Sequence, residues 1–408
     1  MISVKEAEAR ILGHFEPLPA ETVALDQAHG RVAAEDLVAR VTQPPADLSA
    51  MDGYAIRFAD VPQVPTTLRV VGHAPAGGAY AGTLQAGQAV RIFTGGPVPA
   101  GTDTIVIQEN TTAEADRVTV VEMPQAGRHI RRAGLDFEAG KVAIPAGRRM
   151  SGRDLALAAG MNLPWIAVHR RPRIALLATG NELVLPGQPI GPNQIVASSG
   201  IGLAAMIRAW GGEPVNLGIV ADELPRIAAA LAGAKGYDLL VTLGGASVGD
   251  HDLVQKALAQ AGGKLDFWKI AMRPGKPLMF GTIGDPTAGT RLLGLPGNPV
   301  SSMVCALLFL RPIVQKLAGR RDTALPISRA RLGGPLPAND QRQDYLRAEL
   351  RTEADGSEVA TPFKVQDSSM MSSLAKSGCL ILRAPHAPAA QAGDAVEIVK
   401  LERLGVEF

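Results

Sequence analysis

The sequence has 408 residues, with 41 Lys+Arg against 39 Asp+Glu and a formal net charge of +2. A hydrophobic share of 46% is enough to bury cores, which excludes a disordered chain, and the 45 glycines have no three-residue period, which excludes collagen. So small a charge provides no field for sequence-independent nucleic-acid binding, and 4% aromatics leave little for base stacking.

At about 100–150 residues per domain, the length implies three or four domains. Cys305 and Cys379 are far apart, which argues against a disulfide framework or a Cys-based zinc site. The seven histidines are scattered, without the paired spacing of a metal motif. The longest aliphatic run, Met303 to Leu310, falls well short of the ~20 residues that span a bilayer, so no membrane partner is expected. The opening MISVKEAEAR lacks the apolar region of a signal peptide. The expectation is a cytoplasmic protein.

In chain order, a first helix opens at Ser3, with Glu6 at the spacing of a capping box and Ala7, Ile11 and Leu12 on one face. From about 41 to 145, short β-branched runs (Leu68–Val71, Ala89–Phe93, Thr104–Gln108, Arg117–Val121) alternate with Gly, Pro and Asp turns, predicting a β-rich domain. A second helix follows over Ser151–Met161, with Asp154 three residues after its opening Ser. From about 171 the rhythm is βα. Strands are predicted at Arg173–Leu177, Pro214–Val220, Asp238–Leu243 and Leu292–Leu295, and helices near Gly200–Trp210, Leu224–Ala232, Leu253–Ala261 and from Pro299 to about Lys316. Continuous apolar strands alternating with helices imply a parallel sheet covered on both faces. From about 325 the texture returns to β, at Gln343–Arg351, Glu358–Thr361, Cys379–Arg383 and Ala395–Lys400.

Ligands of an open parallel sheet bind outside the carboxyl ends of its strands. Three βα loops emerge there, Thr179–Glu182, Gly244–Asp252 and Pro296–Ser302. The glycines of Gly244–Gly249 let backbone N–H groups converge before a helix N-terminus, an arrangement that attracts an oxyanion; the alternative is a tight turn with no ligand. The loop fits neither a Walker A nor a GxGxxG pattern. Asp250, His251 and Asp252 follow, and Glu182 and Asp222 stand at the same edge. They are readable as carboxylates for Mg2+ shared with substrate phosphates, or as acids that complement a helix dipole. Lys269, Arg273 and Lys276 form either an anion clamp or a solvated basic loop. Pro296-Gly297-Asn298-Pro299, followed by Val300, Ser301 and Ser302, is a second candidate anion site or a plain helix start.

In combination, these segments resemble the molybdopterin molybdenumtransferase family, the MoeA type, also found as the E domain of gephyrin and its plant counterpart. The resemblance runs nearly end to end. It rests on Ser49–Ala55 (Ser-Ala-Met-Asp-Gly-Tyr-Ala) with Arg57, on Arg91–Ala100, Arg131–Asp136, Thr179–Leu183 and Gly244–Gly249, and on Gly294–Ser301 (Gly-Leu-Pro-Gly-Asn-Pro-Val-Ser).

The resemblance implies a multidomain α/β plus β fold. A discontinuous linker domain would span 1–40 and 141–170, an inserted β-rich domain 41–140, an α/β molybdopterin-binding-type domain 171–320 and a C-terminal β-barrel 321–408. It further implies a homodimer whose active cleft lies between protomers. The implied reaction is Mg2+-dependent insertion of molybdate into adenylylated molybdopterin with release of AMP. The resemblance also suggests the upstream adenylyltransferase as a partner. By the same resemblance, Asp52, Thr94, Asp136, Glu182, Asp252, Lys269 and Arg273 are the candidate catalytic residues. Gly244, Gly245, Ser247, Gly249, Lys276, Pro296, Asn298, Pro299 and Ser301 are expected at the substrate, and Glu182, Asp222 and Asp252 at the metal. The chain departs from the family's usual pattern at Asn181 and Leu135, where acids are common, and at Arg273, where Lys is common. Two competing readings are the adenylyltransferase that makes the preceding intermediate and a binding scaffold without turnover.

Overall fold

The computed structural model describes residues 1–245, 253–285 and 288–404. They form two compact units. One holds Met1–Glu21, Gly30–Ala34 and Val168–Phe408, and the other holds Thr22–His29 and Glu35–Ala167.

The first unit begins with helix α1 (Val4–Leu12), whose Val4, Ala7 and Ile11 are buried. Ser3 caps it by accepting from the Glu6 N–H at 3.1 Å, but the reciprocal half of the expected capping box is replaced: Glu6 takes Arg10 one turn on, at 2.7 Å. The ion pair across the turn outcompetes the return bond because it lies on the same helix face.

The second unit carries β1 (Gly53–Ile56), β2 (Thr66–Ala74), β3 (Gln88–Ile92), β4 (Thr104–Ile107), β5 (Thr111–Glu114) and β6 (Arg117–Val120), paired in the order β4-β1-β3-β2-β6-β5. β2 and β3 run parallel and the other pairs antiparallel. Alternate side chains fill a core on each face. Tyr54, Ile56, Leu68 and Val118 lie in one, and Ala55, Val90, Ile92 and Ile105 in the other. Gly53 is required because a Cβ there would sit 2.0 Å from the Val106 carbonyl oxygen. Helix α2 (Gly152–Gly160) opens with a complete Ser151–Asp154 capping box.

In the first unit, the α/β region comprises β7 (Arg173–Thr179), α3 (Ser199–Ala209), β8 (Glu213–Val220), α4 (Leu224–Gly233), β9 (Leu239–Leu243), α5 (Leu253–Gln260), β10 (Lys264–Lys269), β11 (Pro277–Ile283) and β12 (Thr290–Leu295). The sheet order is β8-β7-β9-β12-β11-β10. The expected parallel sheet is its β8-β7-β9-β12 part, and β11 and β10 extend it as antiparallel strands. Apolar clusters cover both faces, with Ile174, Leu176, Val241 and Leu293 in one and Ala175, Leu177, Leu240 and Leu292 in the other.

Pro299–Leu317 is one helix of 19 residues, long and apolar enough to cross a membrane by length and composition, but 94% of its apolar window is buried inside the protein. It consists of α6 (Pro299–Cys305), a π-turn (Ala306–Leu310) and α7 (Arg311–Leu317). The wider turn shifts the hydrogen-bond ladder just where Pro312 offers no N–H. After it, β13 (Ile327–Leu332), β14 (Gln343–Thr352), β15 (Glu358–Pro362), helix α8 (Met371–Ala375), β16 (Cys379–Arg383) and β17 (Ala395–Lys400) form the sheet β14-β15-β13-β17-β16. Pairing of β14 with β16 closes it into a barrel, which leaves no free strand edge.

Candidate functional site

In the second unit, three separate sequence strings meet. Ser49 donates its N–H to the Gly96 carbonyl and accepts from Gly95 N–H, both at 2.9 Å, while Ala50 N–H donates to the His129 carbonyl at 2.8 Å. Ile130 and Arg131 pair with Ser49 and Leu48. This weave places Asp52 beside Thr94, whose N–H and hydroxyl both donate to one Asp52 oxygen, at 2.7 and 2.8 Å. The two bonds hold the Asp52 carboxyl below its usual range, led by the backbone N–H. Arg91 stacks between Tyr54 and Phe93, 4.9 and 5.1 Å from their ring centroids. Asp136 lies on the same connection, its N–H donating to the Gln43 carbonyl at 3.0 Å. Arg132, four residues before it, pairs with Asp47 at 2.6 Å.

In the first unit, the carboxyl ends of β7, β8, β9 and β12 share one edge, since these strands are parallel. The antiparallel order of β11 and β10 brings the reversal between them, Ile270–Lys276, to that edge too, with Lys269 paired to Pro277. Glu182, Asp222, Gly244, Gly245, Lys269, Lys276 and Pro296 are thereby assembled from five connections. Ser247, Gly249 and Asp252, with Asp250 and His251, lie outside the described residues.

At this edge Glu182 folds over Gly180, so closely that a Cβ on Gly180 would sit 2.6 Å from a Glu182 carboxylate oxygen. Asp222 stands near enough to Glu182 that its carboxyl is pushed up, first by burial and then by the Glu182 charge. Asn181 Oδ1 accepts the Asp222 N–H at 3.0 Å. Gly244 and Gly245 have φ of +92° and +66°, and Cβ atoms on them would meet the Thr179 carbonyl oxygen at 2.7 Å and Val254 at 2.4 Å. The hydroxyls of Thr179 and Thr242, both buried, have no hydrogen-bond partner among the described residues. A depression of ≈ 450 Å3, open to solvent, adjoins the edge between Ala178, Leu185, Gly200, Ile201 and Leu243.

At the start of α6, Asn298 uses its amide to reach the barrel, donating to Ser368 Oγ at 2.9 Å, and Val300 N–H donates to the Ser368 carbonyl at 3.1 Å. Ser302 Oγ is bound to the Pro296 and Asn298 carbonyls, so it rigidifies the turn. Ser301 is 5% exposed and its hydroxyl makes no hydrogen bond among the described residues. Lys276 is exposed. Arg273, expected beside the lysines as an anion contact, is committed elsewhere. Asp344 of β14 takes its guanidinium, and Asp340 lies 3.5 Å from it. The cause is the short pairing of Met272–Arg273 with Gln343–Asp344, which sequence spacing does not reveal.

Sequence reasoning missed Ser368 and Arg347. Arg347 is 2% exposed, and its guanidinium donates to Gln366 Oε1 at 3.3 Å and to the Met370 carbonyl at 3.2 Å; burial disfavours its charge and the nearby Asp367 carboxylate favours it. An Arg within an alternating strand gives no signal of burial, so nothing in the sequence marks it.

Among the described residues no group of three or more His, Cys, Asp or Glu surrounds a common point. Glu182 and Asp222 supply two hard oxygen donors, the number that Mg2+ takes from protein when substrate phosphates complete its shell. The residues present therefore fit that ion.

The chain matches the MoeA N-terminal region (domain I and II) over residues 2–161, the probable molybdopterin binding domain over 175–316 and the MoeA C-terminal region (domain IV) over 329–401. It is 38% identical to a molybdopterin molybdenumtransferase of Nostoc sp. over 81% of this chain and 77% of that protein. Identity to the molybdopterin molybdenumtransferase of Haemophilus influenzae is 32%, over 99% of this chain and 100% of the other. The crystal structure of the molybdopterin biosynthesis MoeA protein from Pyrococcus horikoshii superposes with a TM-score of 0.84 at 26% identity, covering 98% of this chain and 99% of that one. With these three matches along the chain and relatives of this identity and coverage, the chain belongs to the molybdopterin molybdenumtransferase family, transferases of molybdenum cofactor biosynthesis.

Proposed function

We propose that this chain inserts molybdenum from molybdate into adenylylated molybdopterin, in a Mg2+-dependent step that releases AMP and yields molybdenum cofactor. The observation that carries this reading is the approach of Glu182 to Asp222 at the edge that also bears the Gly244–Gly245 turn and Lys276. Both substrates are anionic, a pyrophosphate and an oxyanion, and each suits glycine loops and cations. Glu182 and Asp222 would hold the ion. A bound Mg2+ would offset the charge that builds up as the pyrophosphate is cleaved.

The chain's own groups do the remaining work. The tight turn at Gly244 and Gly245 exposes backbone to an oxyanion, and Lys269 and Lys276 add positive charge beside it. The turn Pro296–Pro299, pinned by Ser302 and by Asn298 to Ser368, holds Ser301 at the start of α6. Arg273 fixes the Ile270–Lys276 reversal to the barrel and so orients Lys276. Asp52, kept ionised by Thr94, offers an acceptor for a proton or an amino group. A cytoplasmic homodimer with the domain limits given by the resemblance completes the reading. Within it Asp52, Thr94 and Asp136 of one copy would serve the reaction at the other.

The test is direct. Purified protein is incubated with adenylylated molybdopterin and Mg2+, with and without molybdate, and AMP is measured. Molybdate-stimulated AMP release is expected, and release indifferent to molybdate overturns the proposal.

A further inference from the structure

We propose that Asn181 is a positioning residue that holds Asp222 beside Glu182 without adding a third negative charge. The loops after β7 and β8 leave the sheet together. Thr179 pairs with Val220, and Gly180 N–H donates to the Val220 carbonyl at 3.3 Å. Beyond that point the ladder does not continue among the described residues, and a bond from Asp222 N–H to Asn181 Oδ1 joins the two loops at 3.0 Å across 41 residues of sequence. It fixes the backbone from which the Asp222 side chain springs. Glu182 is fixed independently, its carbonyl accepting the Ile195 N–H at 2.8 Å and its carboxylate lying over Gly180.

The choice of an amide follows from charge. Glu182 and Asp222 already bring two carboxylates to this edge. A carboxylate at 181 would accept the same N–H but bring a third negative charge to a pair that one divalent cation neutralises. Asn supplies the acceptor oxygen alone. Its role is therefore that of an outer group around a cation site, which sets the geometry of a donor it does not replace. The effect on the cation stands by itself, and the effect on turnover rests on the reaction proposed above.

The test uses the full chain, with Mn2+ alone as probe for the cation, titrated by electron paramagnetic resonance, and with hydrogen exchange followed over residues 220–223. Asn181→Ala is expected to weaken Mn2+ binding by about 10-fold or more. It should also speed exchange of the Asp222 amide, while the thermal midpoint stays within a few degrees. Asn181→Asp keeps the acceptor, so amide protection should return and Mn2+ should bind at least as tightly as to the unaltered protein. The proposal is overturned if Asn181→Ala changes neither Mn2+ binding nor exchange, if the Ala and Asp variants behave alike, or if the unaltered protein binds no Mn2+. Failure of molybdate to stimulate AMP release, with the Mn2+ shift intact, removes the reaction and leaves Asn181 in place.

Discussion

The guanidinium of Arg273 is held by the carboxylate of Asp344, which is 4% exposed; Nε donates at 3.1 Å and Nη2 donates to the same oxygen. Asn339 Oδ1 accepts from Nη2 at 3.3 Å, and the Asp340 carboxyl, held down to about 2 chiefly by Arg342, lies nearby. The arginine thus fastens the Ile270–Lys276 reversal to the barrel. Truncating it leaves a buried carboxylate without its donor, a loss of about 1–3 kcal/mol. Arg273→Ala should lower the urea midpoint accordingly, and Asp344→Asn added to it should recover part of the loss. Arg273→Lys keeps the charge but not the fork and should fall between. A midpoint unmoved by Arg273→Ala would mean that the contact holds nothing together.

Thr94 governs the ionisation of Asp52. Removing its hydroxyl in Thr94→Val deletes one of two donors to the ionised form and leaves the backbone N–H. Fewer bonds to the carboxylate favour protonation, so the Asp52 pKa should rise toward the ordinary ~3.9. A carbon-detected titration of the side chain would read this, and a fall or no change refutes the assignment. Asp52→Asn keeps the acceptor oxygen but not the charge. If Asp52 handles a proton in the proposed reaction, turnover should drop on the order of 10²-fold or more.

The pattern of what the sequence discloses is physical. Local rules act within a few residues, so Ser3 and Ser151 announce helix starts, and apolar runs such as Arg173–Leu177 announce buried strands. Glycine positions such as Gly53 and Gly245 are legible as tight places, though not what they touch. Contacts across long loops are not legible: Asn298 with Ser368, Arg273 with Asp344, or Asn181 with Asp222 each join residues 41 or more apart. The antiparallel strands β10 and β11 were hidden for another reason. The Pro/Gly punctuation of 273–277 reads as a loop, and only pairing with β12 shows that it is a reversal at the sheet edge. The charged residues there were therefore found by type, and their employment was decided by neighbours remote in sequence.

The Ser151–Asp154 box gives a stability prediction with a sign. Ser151 N–H and hydroxyl donate to Asp154 Oδ2 at 2.8 and 2.5 Å, and Arg148 donates to the other oxygen at 3.1 Å. Burial raises the Asp154 pKa, but these donors together outweigh it and the net shift is downward. A carboxyl with a depressed folded pKa stabilises above its unfolded value of about 3.9, and that stability is lost as pH falls through the lower folded pKa. Asp154→Asn should therefore flatten the acid limb of the stability curve below about pH 4. Ser151→Ala should cost about 1 kcal/mol at neutral pH. Parallel acid limbs for the original protein and Asp154→Asn would contradict the linkage.

Gly245 offers the sharpest steric prediction. With φ of +66° and a Cβ that would meet Val254 Cγ2 at 2.4 Å, Gly245→Ala strains the backbone and drives the turn into the first residues of α5. Left-handed backbone costs a non-glycine residue about 1–2 kcal/mol, and the clash adds to it. Val254→Ala removes the offending methyl groups but also opens a cavity in a fully buried position, at about 1–2 kcal/mol if the site collapses only partly. The two substitutions should therefore be less damaging together than their separate losses predict. A double-mutant cycle by denaturant unfolding measures this, and simple additivity would show that the turn and α5 do not press on one another. Because the same turn is the proposed oxyanion cradle, Gly245→Ala should also raise the KM for the adenylylated substrate. Val254→Ala in the same protein should bring that KM back toward the original value, since it relieves the displacement without touching the ligand.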